Sequence, residues 1–418
     1  MNLIRCLAFS VLFIAIVWIP CDGQVTYTFL AALAKSKENN PLLKSEILNL
    51  EAARFEILTA GLRPNPSLNN QTLQQLDSKY YTGNTSWHDP LNRQVWYQVT
   101  KPFQLDNLRG KKIEFAKQEL NVTEKAYFET ERNVLHQTAT QWLDTWYAYI
   151  VFNTIEKTLK NVDSLNVIND NRYKNQVITQ SDLVRTQLLA EQYRLKFTSA
   201  RQEYYNQLKS LRFQLGSMDS ISITLEDPFV LAPLPDNLDS LVSLSRQQRA
   251  DLQLMQASKA MAESYMILQK SKAYPVPELG LIWNPQNTVP YLGFFGTIQL
   301  PFFSRNQGEI GKSKVYQQQS ALNMERTELV LRTEVETAFK TFRLYQSNLS
   351  KYQNLLRQSD TVLETVRYAY LRGATSLIDF LEAQRAWFET RQNYYETLYN
   401  YRKSYIELLF VTGTLNKM

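Results

Sequence analysis

Two very long stretches without proline constrain this chain more than any other feature. From Ser304 to Leu371 there is no Pro, and Gly occurs only at 308 and 311. Within that stretch Val335, Phe342, Leu349, Leu356, Leu363 and Tyr370 recur every heptad. Leu331, Ala338, Tyr345, Tyr352 and Val366 form a second row, broken by Ser359. Rows in this relation are the a/d seam of a coiled coil, and a strict heptad repeat implies left-handed supercoiling. The next segment carries Phe380, Trp387, Tyr394, Tyr401 and Leu408 in one row. Beside it run Leu381, Phe388 and Tyr395, with Leu409 following after Arg402. Two adjacent stripes make a broad apolar face that predicts contact with two neighbouring helices. The first half has Phe128, Leu135, Trp142 and Tyr149 in the same relation. At ~1.5 Å per residue the run from Gln104 to Asn169 would extend roughly 100 Å, far beyond a globular helix of about 11–12 residues.

The sequence repeats itself. Pro64-Asn65-Pro66-Ser67-Leu68 returns as Pro275-Val276-Pro277-Glu278-Leu279, and Pro102-Phe103 returns as Pro301-Phe302. Tyr173, Gln176, Asp182, Thr186 and Gln187 are spaced as Tyr370, Gly373, Asp379, Ala383 and Gln384 are. The first half carries the longer connection between its two proline sites, and 77–92 has the composition of a loop. Each half then reads as helix, strand pair, very long helix, turn, long helix.

Four short segments, near 66–75, 93–101, 277–285 and 290–300, alternate in polarity and are flanked by the six prolines. Each has about the 9–11 residues that a tilted membrane strand needs. Trp87, Trp96, Trp283, Tyr291 and Phe295 lie near strand ends or loops, where an aromatic girdle would sit at the lipid boundary. The competing expectation is a small soluble sheet packed on the helices. Open sheet edges are not tolerated in lipid, and single-chain barrels need at least about 8 strands, so four would require several chains to share one barrel.

At the N-terminus Arg5 precedes an apolar stretch, Leu7 to Ile19, that reads as a secretory signal and is too short to span a membrane comfortably. Cleavage after Gly23 would start the mature chain at Gln24 and remove both cysteines, Cys6 and Cys21. The alternative, a lipid on Cys21, is disfavoured by Pro20 and Trp18 before it. The net charge of +6 comes from scattered Lys and Arg, a solvated surface rather than a nucleic-acid patch. Only His88 and His136 exist, neither with a ligand-spaced partner, and both read as loop or helix-surface residues. No catalytic constellation, phosphate loop or resident metal site is apparent, so an enzyme and a cofactor are not expected.

Certain of these stretches are familiar. Ala60-Gly61-Leu62-Arg63-Pro64-Asn65-Pro66, the run from Leu300 to Ile310, and Tyr370 to Gln384 resemble the TolC-like outer-membrane efflux family. The Arg305-Asn306-Gln307-Gly308 stretch is most similar to its CzcC/CusC-like heavy-metal branch. The resemblance implies a homotrimer with a shared 12-strand β-barrel in outer-membrane lipid and a 12-helix α-barrel through the periplasm. It also implies two partners, a periplasmic adaptor and an inner-membrane pump, often proton-driven. By the same resemblance Asp379 and Glu382 would ring the pore aperture. Tyr173, Gln176, Tyr370 and Gly373 would lie at hairpin tips that meet the adaptor. Pro64, Pro66, Pro102, Pro275, Pro277 and Pro301 would mark the junctions of barrel and helices. Taken without the resemblance, Asp379 and Glu382 are equally well explained as acids at a helix N-terminus. Thr375 stands where the family prototype has an aperture-linking Arg, and Gln176 replaces a tip glycine.

The expected fold is therefore mostly α with a membrane β part. A signal peptide (1–23) precedes a first repeat (24–216), an equatorial mixed α/β linker (217–245) and a second repeat (246–418) with long helices at 304–371 and 374–412. The expected function is the passive exit duct of a tripartite efflux system for small solutes, with heavy-metal cations as a candidate cargo. The alternatives are the duct of a type I protein-secretion system and a soluble periplasmic coiled-coil scaffold.

Overall fold

The computed structural model describes residues 25–224, 229, 233–286 and 289–417. The signal segment with Cys6 and Cys21 lies outside the described residues, as do Leu225 and Pro228 of the linker. Eight helices carry the described chain: α1 (Phe29–Asn39), α2 (Pro41–Gly61), α3 (Leu108–Lys174), α4 (Gln180–Gln214), α5 (Leu238–Gln248), α6 (Ala250–Ser271), α7 (Gln307–Leu371) and α8 (Leu377–Thr412). The strands are β1 (Val25–Tyr27), β2 (Ser67–Gln74), β3 (Arg93–Pro102), β4 (Ile221–Ile223), β5 (Glu278–Gln286) and β6 (Val289–Thr297). The element order α2-β2-β3-α3-α4 recurs as α6-β5-β6-α7-α8.

The heptad rows of α7 and α8 face inward as expected, whereas on α3 Leu135 and Trp142 are buried but Phe128 is 42% exposed. Along α7, Leu331, Val335, Ala338 and Tyr370 are buried and the seam positions between them are half-buried. The double stripe of α8 meets two neighbours, packing on α7 and on α3. The starts of α7 and α8 fall later than the 304 and 374 expected. Asn306 takes a left-handed backbone that cannot continue into a helix, and the side chain of Ser376 caps α8. Strand β6 ends at Thr297 rather than 300, because Thr297 already pairs with Glu278, the first residue of β5.

The main core sits at mid-length. Phe29, Trp142, Trp146, Leu211, Tyr405 and Leu409 bring α1, α3, α4 and α8 together. Phe29 meets Trp142 edge-on at 5.5 Å. Here β1 pairs in parallel with β4, Val25 with Ile221 and Tyr27 with Ile223. Two buried arginines fix the end of α8. Arg132 donates to the Phe410 carbonyl (3.1 Å) and Arg249 donates to the Val411 carbonyl (3.5 Å), Asp251 (2.6 Å) and Glu334 (2.6 Å). Gly413 ends the helix in a left-handed turn, and a Cβ there would lie 2.8 Å from the Gln248 carbonyl carbon. His136 belongs to this region and is not the free helix-surface residue expected. Its ring bonds Glu407 at 2.9 Å and stacks on Phe410 at 4.1 Å. That hydrogen bond is the main reason the Glu407 carboxyl sits below its usual range.

Candidate functional site

Two regions bear on function: the hairpin tips at one end of the long helices and the four-stranded sheet at the other. At the tips, α3 turns into α4 and α7 into α8. Gln176 and Gly373 both hold positive φ, 62° and 76°. In each tip the left-handed residue bonds back to a tyrosine carbonyl, Gln176 N–H to Tyr173 (2.9 Å) and Gly373 N–H to Tyr370 (3.0 Å). The following N–H closes the turn, Val177 to Arg172 (2.8 Å) and Ala374 to Ala369 (2.9 Å). This is the paired hydrogen-bond pattern that terminates a helix with a left-handed cap. Each second helix then opens with a capping box, Thr179 with Asp182 and Ser376 with Asp379.

Asp379 and Glu382 are both exposed and share one helical face, but each carboxylate already has a local partner. Asp379 accepts from the hydroxyls of Ser376 (2.7 Å) and Thr375 (2.9 Å). Those two bonds, and then the Ser376 N–H, hold its carboxyl below the usual range. Glu382 pairs with Arg385 at 2.8 Å. Thr375, at the departure from the family pattern, thus serves the same carboxylate.

Tyr173, Gln176 and Gly373 are exposed at the tips, whereas Tyr370 is buried at 4% exposure. It ties one hairpin to the other. Its hydroxyl donates to Asn169 Oδ1 (2.7 Å), and Asn169 Nδ2 donates to Thr186 Oγ1 (2.9 Å). Arg172 lies over the Tyr370 ring at 4.8 Å and donates to the Leu371 carbonyl (3.0 Å) at the end of α7. Phe380 also stacks on this ring at 5.3 Å. Sequence reading missed Asn169 and Arg172. The available signal was Asn169 itself, a polar residue interrupting the α3 row Ile155, Val162, Leu165 at a seam position, the arrangement that fixes register in coiled coils.

At the opposite end, the sheet order is β2-β3-β5-β6, all antiparallel, with β2 and β6 as free edges. Successive side chains alternate between faces, and directly paired residues share one. One face therefore carries Leu68, Val99, Tyr97, Leu281, Trp283 and Phe294. Leu68 is 72% exposed and Phe294 93%, and Tyr97 stacks on Trp283 at 5.6 Å. The other face carries Gln71, Gln94, Gln98 and Thr100 with Trp96 and Ile282. A sheet packed on the helix bundle would bury its apolar face; this one exposes it. Pro64, Pro66, Pro275, Pro277 and Pro301 lie in the connections between helix and strand, and Pro102 is the last residue of β3. Among the described residues no helix is long and apolar enough to cross a membrane, and no group of three or more His, Cys, Asp or Glu converges to hold a metal ion.

Long helical hairpins at one end and a four-stranded sheet with an exposed apolar face at the other define the fold that the comparisons match. Residues 241–414 match the family model for outer membrane efflux proteins. The chain is 24% identical over 417 residues to the cation efflux system protein CusC of Escherichia coli O157:H7, covering 94% of this chain and 86% of that one. The fold superposes on a crystal structure of CusC with a TM-score of 0.78 at 21% identity, covering 93% of each chain. It superposes on the CmeC outer membrane channel of Campylobacter jejuni with a TM-score of 0.75 at 16% identity, over 92% of this chain and 85% of that one. The second part of the chain thus matches the outer membrane efflux family model, and the fold as a whole matches that of solved outer-membrane channels.

Proposed function

We propose that this protein is the outer-membrane channel subunit of a tripartite efflux system, a passive duct whose energy comes from an inner-membrane pump reached through a periplasmic adaptor. The observation that carries this reading is the sheet, which exposes Leu68, Val99, Leu281 and Phe294 on one face, gathers Gln71, Gln94, Gln98 and Thr100 on the other, and is open at both edges. In water such a face is an aggregation hazard; in lipid it is the outer wall of a barrel.

One chain cannot close that barrel, because four strands fall short of the about 8 that closure needs. Three copies supply twelve, and the edges favour a ring of copies. The wall order α2-α3-α6-α7 follows the strand order, so α2 and α7 lie at opposite edges. Each edge helix exposes a row at heptad spacing: Leu48 and Phe55 on α2, continued by Leu62 just past its end, and Val315, Leu322 and Leu329 on α7. Unlike edges that fit each other make a head-to-tail contact, which closes into a ring when three equal rotations complete the circle. The matching halves support an internal duplication, with each half contributing one strand pair and one helical hairpin.

In the trimer the tips form the periplasmic aperture. The Asn169–Tyr370 tie and the Arg172 contact hold the two hairpins of each protomer together, and Asp379 and Glu382 place carboxylates around the opening, where they favour cations. Tyr173, Gln176 and Gly373 present the surface that meets the adaptor. CusC is named for cation efflux, and metal cations are the cargo we propose here, passing through rather than residing. The test is to fractionate membranes, extract with detergent, measure particle mass and record conductance in a planar bilayer. A detergent-requiring trimer that conducts is the expected result; a water-soluble monomer would leave only a coiled-coil scaffold.

A further inference from the structure

The long β2–β3 connection is not a slack loop. Asn92, at 3% exposure, organises it from within: its Oδ1 accepts from Thr82 N–H (3.1 Å), and its Nδ2 donates to Thr85 Oγ1 and the Ser86 carbonyl (2.9 Å each). Two consecutive glutamines at the rim hold its two limbs. Gln74 Nε2 donates to the Trp87 carbonyl (2.9 Å), and Gln75 Nε2 donates to the Tyr80 carbonyl (2.7 Å). Consecutive residues of a strand point to opposite faces, and the Gln75 N–H continues the ladder to Asn92 O at 2.9 Å. Gln74 pairs with Arg93 on the face shared by Leu68 and Tyr97, the apolar one; Gln75 continues the polar one.

We infer that this loop straddles the rim of the barrel. Its Trp87 limb lies outside, against phosphate-bearing lipid headgroups, and its Tyr80 limb lies inside, narrowing the outer mouth. The inference rests on the channel reading above. Outside, Trp87 is 48% exposed beside His88, and Arg93 shares its face; an amphipathic ring with a nearby guanidinium suits the boundary between acyl chains and phosphates. Inside, Tyr80 is 63% exposed with Lys79 over its ring at 5.6 Å. Asp77, which caps the Lys79 backbone N–H, and Lys79 itself leave residues 77–80 with no net charge, so the limb acts by bulk rather than by charge.

No cysteine occurs between residues 24 and 418, so single thiols can be placed cleanly, with the unsubstituted protein as control for Cys6 and Cys21. Tyr80→Cys and Trp87→Cys in the full-length protein would each be labelled with a bulky environment-sensitive thiol reagent. Lys79→Cys and His88→Cys provide a second site on each limb. In planar bilayers, label at 80 or 79 should lower single-channel conductance by about a third or more, since three copies would share one mouth. Label at 87 or 88 should leave conductance unchanged and be quenched by vesicles containing headgroup-quencher phospholipids. Conductance loss from the 87 label, none from the 80 label, or no lipid quenching at 87 would overturn the inference while leaving the channel intact. A protein that never conducts would instead sink the channel reading, and this inference with it.

Discussion

Gln176 and Gly373 adopt the same left-handed backbone at equivalent points of the two hairpin tips, although only one of them is a glycine. Both accept that geometry because the turn around them closes with the same pair of hydrogen bonds. Nothing lies within 4 Å of a Cβ built on Gly373, so a side chain there meets strain and no clash.

Opposite effects follow at the two positions. Gln176→Gly should stabilise its tip, and Gly373→Ala should destabilise the other by about 1–2 kcal/mol, the cost of a left-handed L-residue. Thermal melting of the detergent-solubilised protein reads both. Changes of the same sign would mean the backbone conformation is not what limits these turns.

Tyr370→Phe deletes a donor to Asn169, whose 0% exposure denies it water as a substitute. The expected loss is about 1–3 kcal/mol, with looser tips and higher single-channel conductance. Because both partners are neutral, the gain in conductance over wild type should persist with little change between low and high salt. A gain that appeared only in high salt would assign closure to the charged residues instead.

The Asp379 cap should be acid-labile. Its carboxyl titrates below the ordinary aspartate value near 3.8 when folded, so its contribution is present above that value and is lost as pH falls through the lowered one. A nitroxide at Ile378, which is 59% exposed, should become mobile on acidification in the wild type. In Asp379→Asn it should be mobile already at pH 7 and show no such transition.

Arg249 is 3% exposed and holds Asp251, Glu334 and the Val411 carbonyl at once. Burial by itself would raise the Asp251 carboxyl, yet Arg249 holds it below the usual range. Arg249→Met leaves that carboxylate only the Leu252 N–H (2.8 Å) and Arg132 at 3.8 Å, and should cost about 3 kcal/mol; adding Asp251→Leu should recover most of the loss. A double variant as unstable as the single would place the cost in the freed end of α8.

Much of this architecture is written locally. The seam Leu331, Val335, Ala338 through Tyr370 gave α7 its length and its inward face, because a heptad row is satisfied by neighbours a turn apart. Prolines 64, 66, 102, 275, 277 and 301 marked the ends of strands and helices, since proline lacks the donor that either structure needs. The adaptor and aperture assignments were less legible. Tyr370, which the resemblance places at an adaptor-facing tip, is buried beneath Arg172, because position along one helix says nothing about what the adjacent hairpin lays over it.

By itself, then, the sequence determined the long helices, their apolar stripes, the four strands and the helix-breaking junctions, all of which depend on periodicities and backbone restrictions within a few residues. Only the tertiary structure decided that β3 pairs with β5 so that both strand pairs share one sheet, that Asn169 meets Tyr370, and that Arg132 and Arg249 converge on the last turn of α8. These contacts join residues far apart in the chain. Each forms only when helix register and hairpin placement bring a donor and an acceptor within hydrogen-bond reach, a condition no local pattern encodes.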